Sequence, residues 1–192
     1  MAARPVIEQR DRPEQRLATA ADAAQIAELM RASVLALFPR VYTPEQTASA
    51  AIHIAHPDPI LLEDGTYFVH EDVDGDIVAC GGWSRRAKLY TGSGTQDDDL
   101  RMLDPAREAA RVRAMFVRQD WTRHGLGRAL LHASEEAAER EGFGELTLMA
   151  TLPGVPLYTS FGFVEVQRAE LPMPDGSSVA GVLMHRNIQS RR

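Results

Sequence analysis

The sequence predicts an α/β domain whose mixed, mostly antiparallel sheet is flanked by helices. Three observations carry this. Short β-branched and aromatic runs alternate with stretches in which apolar residues recur at helical spacing. A turn-linked strand pair stands early, at 66–83, and a second closes the chain, at 163–186. Between them a strand, 112–117, runs through a glycine-containing loop into a strongly amphipathic helix. Interleaved strands and helices exclude an all-α or all-β design.

The elements follow in order. Residues 1–14 are polar and read as a flexible arm, and 15–188 as one folded domain. Arg16 to Ala18 reads as a short strand. Thr19 or Asp22 can cap the next helix, because its side-chain oxygen accepts from free first-turn N–H groups. Ile26, Met30, Val34 and Leu37 form its apolar stripe, and Pro39 ends it. Pro44 suits the first turn of a second helix capped by Thr43, which fades before His56-Pro57-Asp58-Pro59. Thr66–Glu71 and Ile77–Trp83 pair across a turn built from Asp72, Asp74, Gly75 and Asp76. Residues 85–108, rich in Gly and Asp, read as a long loop. Val112–Val117 is the next strand. The helix Gly125–Arg140 places Leu126, Leu130, Ala133 and Ala137 inward and stops at Gly142 and Gly144. Glu145–Ala150 is a strand, Leu157–Phe161 a short helix, and Phe163–Arg168 and Val179–Arg186 are the closing strands.

Composition narrows the function. The 192 residues carry 21 Lys and Arg against 27 Asp and Glu, a formal charge of −6. That balance argues against a dedicated nucleic-acid binder. No apolar run approaches the roughly 18 residues of a membrane span, and the first residues lack the apolar core of a signal peptide. The single cysteine, Cys80, excludes an intramolecular disulfide and a multi-cysteine zinc site, which fits a cytoplasmic protein. Cys80 lies in an apolar strand beside Gly81-Gly82 and reads as a small buried hydrophobe. His53 and His56 stand one helical turn apart but lack a third ligand, so no metal is expected.

The stretch Met115-Phe116-Val117 followed by Arg118 to Leu131 carries the chemistry. A helix N-terminus presents free N–H groups and a partial positive charge, which together form an anion site. Gly125 and Gly127 keep side chains away from the backbone, while Arg123, His124 and Arg128 add donors. A Walker loop fails because no Gly-Lys-Ser/Thr follows. A dinucleotide loop lacks its third glycine, where Leu130 stands.

Thr122-Arg123-His124-Gly125-Leu126-Gly127 resembles the pyrophosphate-binding motif of the GNAT superfamily of N-acetyltransferases, Arg/Gln-x-x-Gly-x-Gly/Ala, with Thr122 at the first position. Leu157-Tyr158-Thr159-Ser160-Phe161-Gly162-Phe163 is similar to the family's Phe-Tyr-x-x-x-Gly-Phe segment, with Leu157 for Phe. The likeness in element order spans about Arg16 to Arg186. It implies a GNAT-like fold in which the strands before and after the glycine loop and its helix splay apart. Acetyl-CoA is the implied cosubstrate, its pantetheine lying along Met115, Phe116 and Val117. Its pyrophosphate would rest on Arg123, His124, Gly125, Leu126, Gly127 and Arg128, with Arg118 a further phosphate partner. Tyr158 matches the family's general acid.

The implied reaction is transfer of an acetyl group to a primary amine of a small molecule. No general base is evident; Glu71, Asp97 to Asp99 and His185 are candidates beside a water relay. Phe38, Arg40 and Tyr42, between the first two helices, and Trp83, at the end of the early hairpin, are candidate acceptor-binding residues. A noncatalytic acyl-CoA-binding or sensing module and a protein N-acetyltransferase are the alternatives. The resemblance also allows a homodimer.

Overall fold

The computed structural model describes residues 12–90 and 100–188. Strand β1 (Glu14–Leu17) leads into helix α1 (Ala23–Leu37) through a single 3-10 turn. A second 3-10 turn, Phe38–Arg40, joins α1 to α2 (Pro44–His53), and α3 (Pro59–Glu63) follows. Strands β2 (Tyr67–Glu71), β3 (Ile77–Ser84) and β4 (Ala110–Val117) precede α4 (Leu126–Arg140). The chain ends with β5 (Glu145–Thr151), α5 (Val155–Phe161), β6 (Val164–Pro172) and β7 (Ser178–Asn187). The seven strands form one sheet in the order β1-β2-β3-β4-β5-β7-β6, with every pair antiparallel except β4–β5.

Local chemistry explains most of these bounds. Thr43 and Gln46 close a capping box over α2, with Pro44 in its first turn. Both His56 and Pro57 lie outside a helix, as expected, but Asp58 caps the Ile60 N–H and Pro59 starts α3. That short helix was not expected: a Pro-rich stretch reads as a breaker, although Pro is at home in a first turn. Glu14, placed in the arm by sequence, pairs with Glu71 in the sheet. Residues 1–11 lie outside the described residues.

Two layers of helix cover the sheet. On one face α1 lays Ile26, Met30 and Val34 against Tyr67, Val69 and Cys80. On the other, α4 and α5 pack Leu131, Ala138, Tyr158 and Phe161 on Val112, Leu146 and Leu148. Burying a leucine such as Leu130 or Leu131 contributes roughly 1.5–3 kcal/mol, so α4 is held by its inner face more than by helix propensity. That face is Leu126, Leu130, Leu131, Ser134 and Ala138. Ala133 and Ala137, expected inside, flank it half-buried, and Ser134 is accommodated by bonding the Leu130 carbonyl at 2.8 Å.

The ends of the 85–108 segment are tied down rather than loose. Arg86 bridges Met102, Ala87 and Leu103 are buried, and Arg86 forms an ion pair with Asp64 at 2.7 Å. The closing strands run longer than expected because their hairpin continues to Pro172 and Ser178.

Candidate functional site

The parallel pairing of β4 with β5 covers only Ala110–Leu146 and Arg111–Thr147. From Val112 onward the two strands part, leaving the C-terminal half of β4 without a neighbour on that side. Met115, Phe116 and Val117 lie along this open edge and are half-buried. The Arg118 N–H bonds the Val78 carbonyl on β3 at 2.9 Å. Successive amides of a strand point to opposite edges, so the Val117 N–H faces away from β3, into the gap. The Val117 carbonyl is held by Ser33 Oγ of α1 at 3.0 Å. Ser33 was missed; its signal was a polar residue inside the apolar stripe of α1, next to Val34.

The chain then turns through a 3-10 turn, Gln119–Trp121, and enters α4. Gly125 caps that helix with φ of +85°, a left-handed conformation that glycine adopts without penalty. A Cβ at Gly125 would meet nothing within 4 Å. Gly127 has a different reason: a Cβ there would lie 2.8 Å from Leu157 Cδ2 of α5. Its small size lets α4 and α5 close on each other, a packing reason that stands beside the phosphate access read from the sequence. Among the described residues, the consecutive main-chain N–H groups of Arg123 to Arg128 donate to no acceptor. The first hydrogen bond of the helix is donated by the Ala129 N–H to the Gly125 carbonyl. Unpartnered donors of one turn, at the positive end of a helix dipole, make a binding surface for anionic oxygens.

The side chains around this loop divide. Arg123 and His124 are exposed, the latter against Trp121 with ring centroids 5.7 Å apart. Leu126 is buried in the core. Arg128 is exposed; its guanidinium lies 5.4 Å from the Phe161 ring centroid and bonds the Ser160 carbonyl. Arg118 is turned away from the loop. It pairs with Asp120 at 2.8 Å, Asp76 at 3.6 Å and Asp72 at 3.8 Å, so its charge is already engaged.

Tyr158 sits in α5 at 8% exposure, edge-on to Phe163, in the cluster that Met115 of β4 also packs against. Gly154 gives the ring its place, because a Cβ there would approach Tyr158 Cε2 to 2.9 Å. Burial pushes the phenol pKa well above its ordinary value, so the group is a protonated donor throughout the neutral range.

The candidate acceptor residues are not brought together. Trp83 is 1% exposed, packs edge-on to Phe143 and pairs with Val112. It therefore stands roughly 16 Å along the sheet from Val117, at the wrong end. Phe38 and Tyr42 are buried against each other, centroids 5.1 Å apart. The Tyr42 hydroxyl donates to the Ala180 carbonyl at 2.6 Å and accepts the Leu152 N–H at 2.8 Å, so both its capacities are used in holding α1–α2 to β5 and β7. Only Arg40 of the four is exposed. Of the candidate bases, Glu71 is paired with Arg16, and His185 pairs across from Thr147 near the start of β5, away from the open edge. Asp97 to Asp99 lie outside the described residues. His53 faces Asp175 at 3.6 Å while His56 bonds the His53 carbonyl, and the described residues hold no metal-ligating cluster.

Comparison with known proteins agrees with this fold. Residues 102–172, from the approach to β4 through β6, match the acetyltransferase (GNAT) domain. No curated protein matches the sequence. The fold is similar to a GCN5-related N-acetyltransferase from Rhodopseudomonas palustris, with TM-score 0.68, 21% identity, and coverage of 91% of this chain and 95% of that one. It is similar to an N-acetyltransferase of Thermoplasma acidophilum in complex with coenzyme A, with TM-score 0.62, 16% identity and coverage of 91% and 98%. A phosphinothricin acetyltransferase from Sinorhizobium meliloti in complex with acetyl-CoA aligns with TM-score 0.59, 20% identity and coverage of 92% and 88%. The chain thus has the fold of the GNAT superfamily and carries, at residues 102–172, a segment matching its acetyltransferase domain.

Proposed function

We propose that the chain is an acetyl-CoA-dependent N-acetyltransferase acting on a primary amine of a small molecule, with Tyr158 as general acid. One observation carries the reading: the run of unpartnered N–H groups from Arg123 to Arg128 lies directly beyond an unpaired strand edge, Met115 to Val117. A pyrophosphate suits the first and an extended, amide-bearing pantetheine suits the second. Acetyl-CoA, when bound, supplies an acyl thioester and a thiolate leaving group.

The chain's own groups have separable tasks on this reading. Arg123, His124, Gly125, Leu126, Gly127 and Arg128 hold the pyrophosphate, mainly through main-chain amides. Met115, Phe116 and Val117 orient the arm, and the Val117 N–H is the donor placed for developing negative charge. Tyr158 delivers a proton from a phenol that burial keeps protonated. Glu71 is engaged by Arg16 and His185 stands at the far end of β5, which favours solvent water as the acceptor of the ammonium proton.

The bonding of the α1–α2 region to the β6–β7 hairpin supports a small substrate over a peptide laid in an open groove. Gln46 Nε2 bonds the Ser178 carbonyl, Ser177 bonds Ser49, and Tyr42 bonds the Ala180 carbonyl, so α2 and its approach are laced to the β6–β7 hairpin. Thiol release from acetyl-CoA, measured against a panel of small amines and of peptides, tests the proposal. Release stimulated by small amines and lost in Tyr158→Phe is expected. Stimulation by peptides alone would move the reading to a protein N-acetyltransferase, and binding without stimulated release would leave an acyl-CoA-binding module.

A further inference from the structure

Strand β4 carries an extra residue where it faces β3. Cys80 pairs with Phe116 and Gly82 with Arg113, so Ala114 and Met115 share the space opposite Gly81. Ala114 takes up the extra residue with φ of +51°, a conformation costly for a residue with a Cβ. Such a bulge bends its strand. Here it lies between the paired start of β4 and the open edge at Met115 to Val117. The strained residue therefore sets the direction in which the edge leaves the sheet.

Ala114 is held from two strands away. Tyr67 of β2 is 1% exposed, and its hydroxyl donates to the Ala114 carbonyl at 2.6 Å. To reach it the ring crosses β3 at Gly82. A Cβ there would lie 2.8 Å from Tyr67 Cα and 2.9 Å from Tyr67 Cδ2. Gly81 leaves the matching space for Met115, whose sulfur would collide with a Cβ at that position. The neighbouring Arg113 is fixed as well, by Asp58 at 2.9 Å. The pair of glycines in a central strand, otherwise a weakness, thus lets Tyr67 and Met115 close on the bulge.

We propose that Tyr67, crossing β3 at Gly82, is a positioning residue of the site: its hydroxyl pins the bulge at Ala114 and thereby aims the main chain of Met115 to Val117. The proposal rests on the acetyl-CoA reading given above. Tyr67 itself touches no reacting group; it acts through β4.

The test uses two ligands. Acetyl-CoA engages both the strand edge and the 123–128 loop, whereas 3′-phosphoadenosine 5′-diphosphate has no pantetheine arm and engages only the loop. Both are titrated into the wild type, Tyr67→Phe and Tyr67→Phe/Ala114→Gly, with folding followed by circular dichroism. Tyr67→Phe removes the hydroxyl's bond to the Ala114 carbonyl and its contact with the Cys80 thiol, and is expected to weaken acetyl-CoA about 10-fold, while the armless nucleotide stays within about 2-fold. Ala114→Gly is expected to restore acetyl-CoA affinity, because glycine holds the left-handed conformation unaided. Equal losses for both ligands, no loss for either, or no rescue would overturn the pin. If Tyr67→Phe does not fold, a folded double variant with wild-type acetyl-CoA affinity upholds it, and a double variant that fails to fold or bind overturns it. A wild type that binds neither ligand defeats the acetyl-CoA reading and the pin together. A wild type that binds both, with Tyr67→Phe unchanged, defeats the pin alone.

Discussion

Tyr158 owes its proton to its surroundings. Burial among Phe163, Gly154 and the α4–α5 core raises its pKa above the ordinary 10 of tyrosine. In the proposed role of general acid it works while protonated, so its contribution would be lost only as pH rises through the raised value. The kcat profile should therefore show no alkaline fall from this group below pH 10. Tyr158→Phe should lower kcat by about 10²-fold and leave the calorimetric affinity for acetyl-CoA unchanged. Asp58 is a second residue whose role is set by burial. Desolvation opposes its charge, but Arg113 and Lys88 outweigh it and hold the carboxyl below its usual range. Asp58→Asn should destabilise by about 3 kcal/mol in urea unfolding, because Arg113, 3% exposed, keeps its charge while the carboxylate 2.9 Å away is neutralised. Gly125 was readable in sequence because a glycine before a helical stripe has few other uses. Trp83 was not, because an aromatic beside Arg85 and Arg86 reads the same whether it ends on a rim or, as here, under Phe143 in a fully buried strand.

The elements were legible wherever a local signal acted alone. Thr43-Pro44 announced α2, and the strand-loop-helix order around Gly125 announced β4 and α4. What was hidden depended on distant partners. The helix α3 exists because Asp58 both caps it and faces Arg113, and the bulge at Ala114 is visible only in the register against β3. The same holds for the α1–α2 connection. Its Tyr42 was a reasonable acceptor residue in sequence, yet its hydroxyl spans from α1–α2 to the ends of β5 and β7. Tyr42→Phe leaves the Ala180 carbonyl and the Leu152 N–H without this partner. Thermal unfolding should report a loss of about 1–3 kcal/mol, several degrees in Tm, with acetyl-CoA affinity retained.

Across the whole molecule, carboxylates held below their ordinary pKa dictate the response to acid. Arg16 does this for Asp22, Arg101 holds Glu108 at about 2, and the Ser49 and Ser177 hydroxyls hold Asp175 at about 2. A depressed carboxyl stabilises the fold above its unfolded pKa, and that contribution vanishes as pH falls through the folded value. Burial likewise lowers the pKa of His70 from 6.5, so its protonation begins to favour unfolding below that pH. Melting curves should therefore give a Tm that is level above about pH 7, declines gently below 6.5 and falls steeply between about pH 4 and 2. A level Tm down to pH 3 would contradict this. At the same scale, the proposed function rests on the sheet's parallel junction, since a strand pair that closes only at Ala110 and Arg111 leaves β4 open where α4 presents its free amides. Calorimetric titration of acetyl-CoA into the wild type and into Gly125→Asp tests that claim most directly. Aspartate is one of the few side chains that enter the left-handed region, at some cost in strain, and it sets a carboxylate beside the free amides. Saturable binding by the wild type, weakened at least about 10-fold in the folded variant, is the predicted result. Absent binding by the wild type, or equal affinity in the variant, would contradict it.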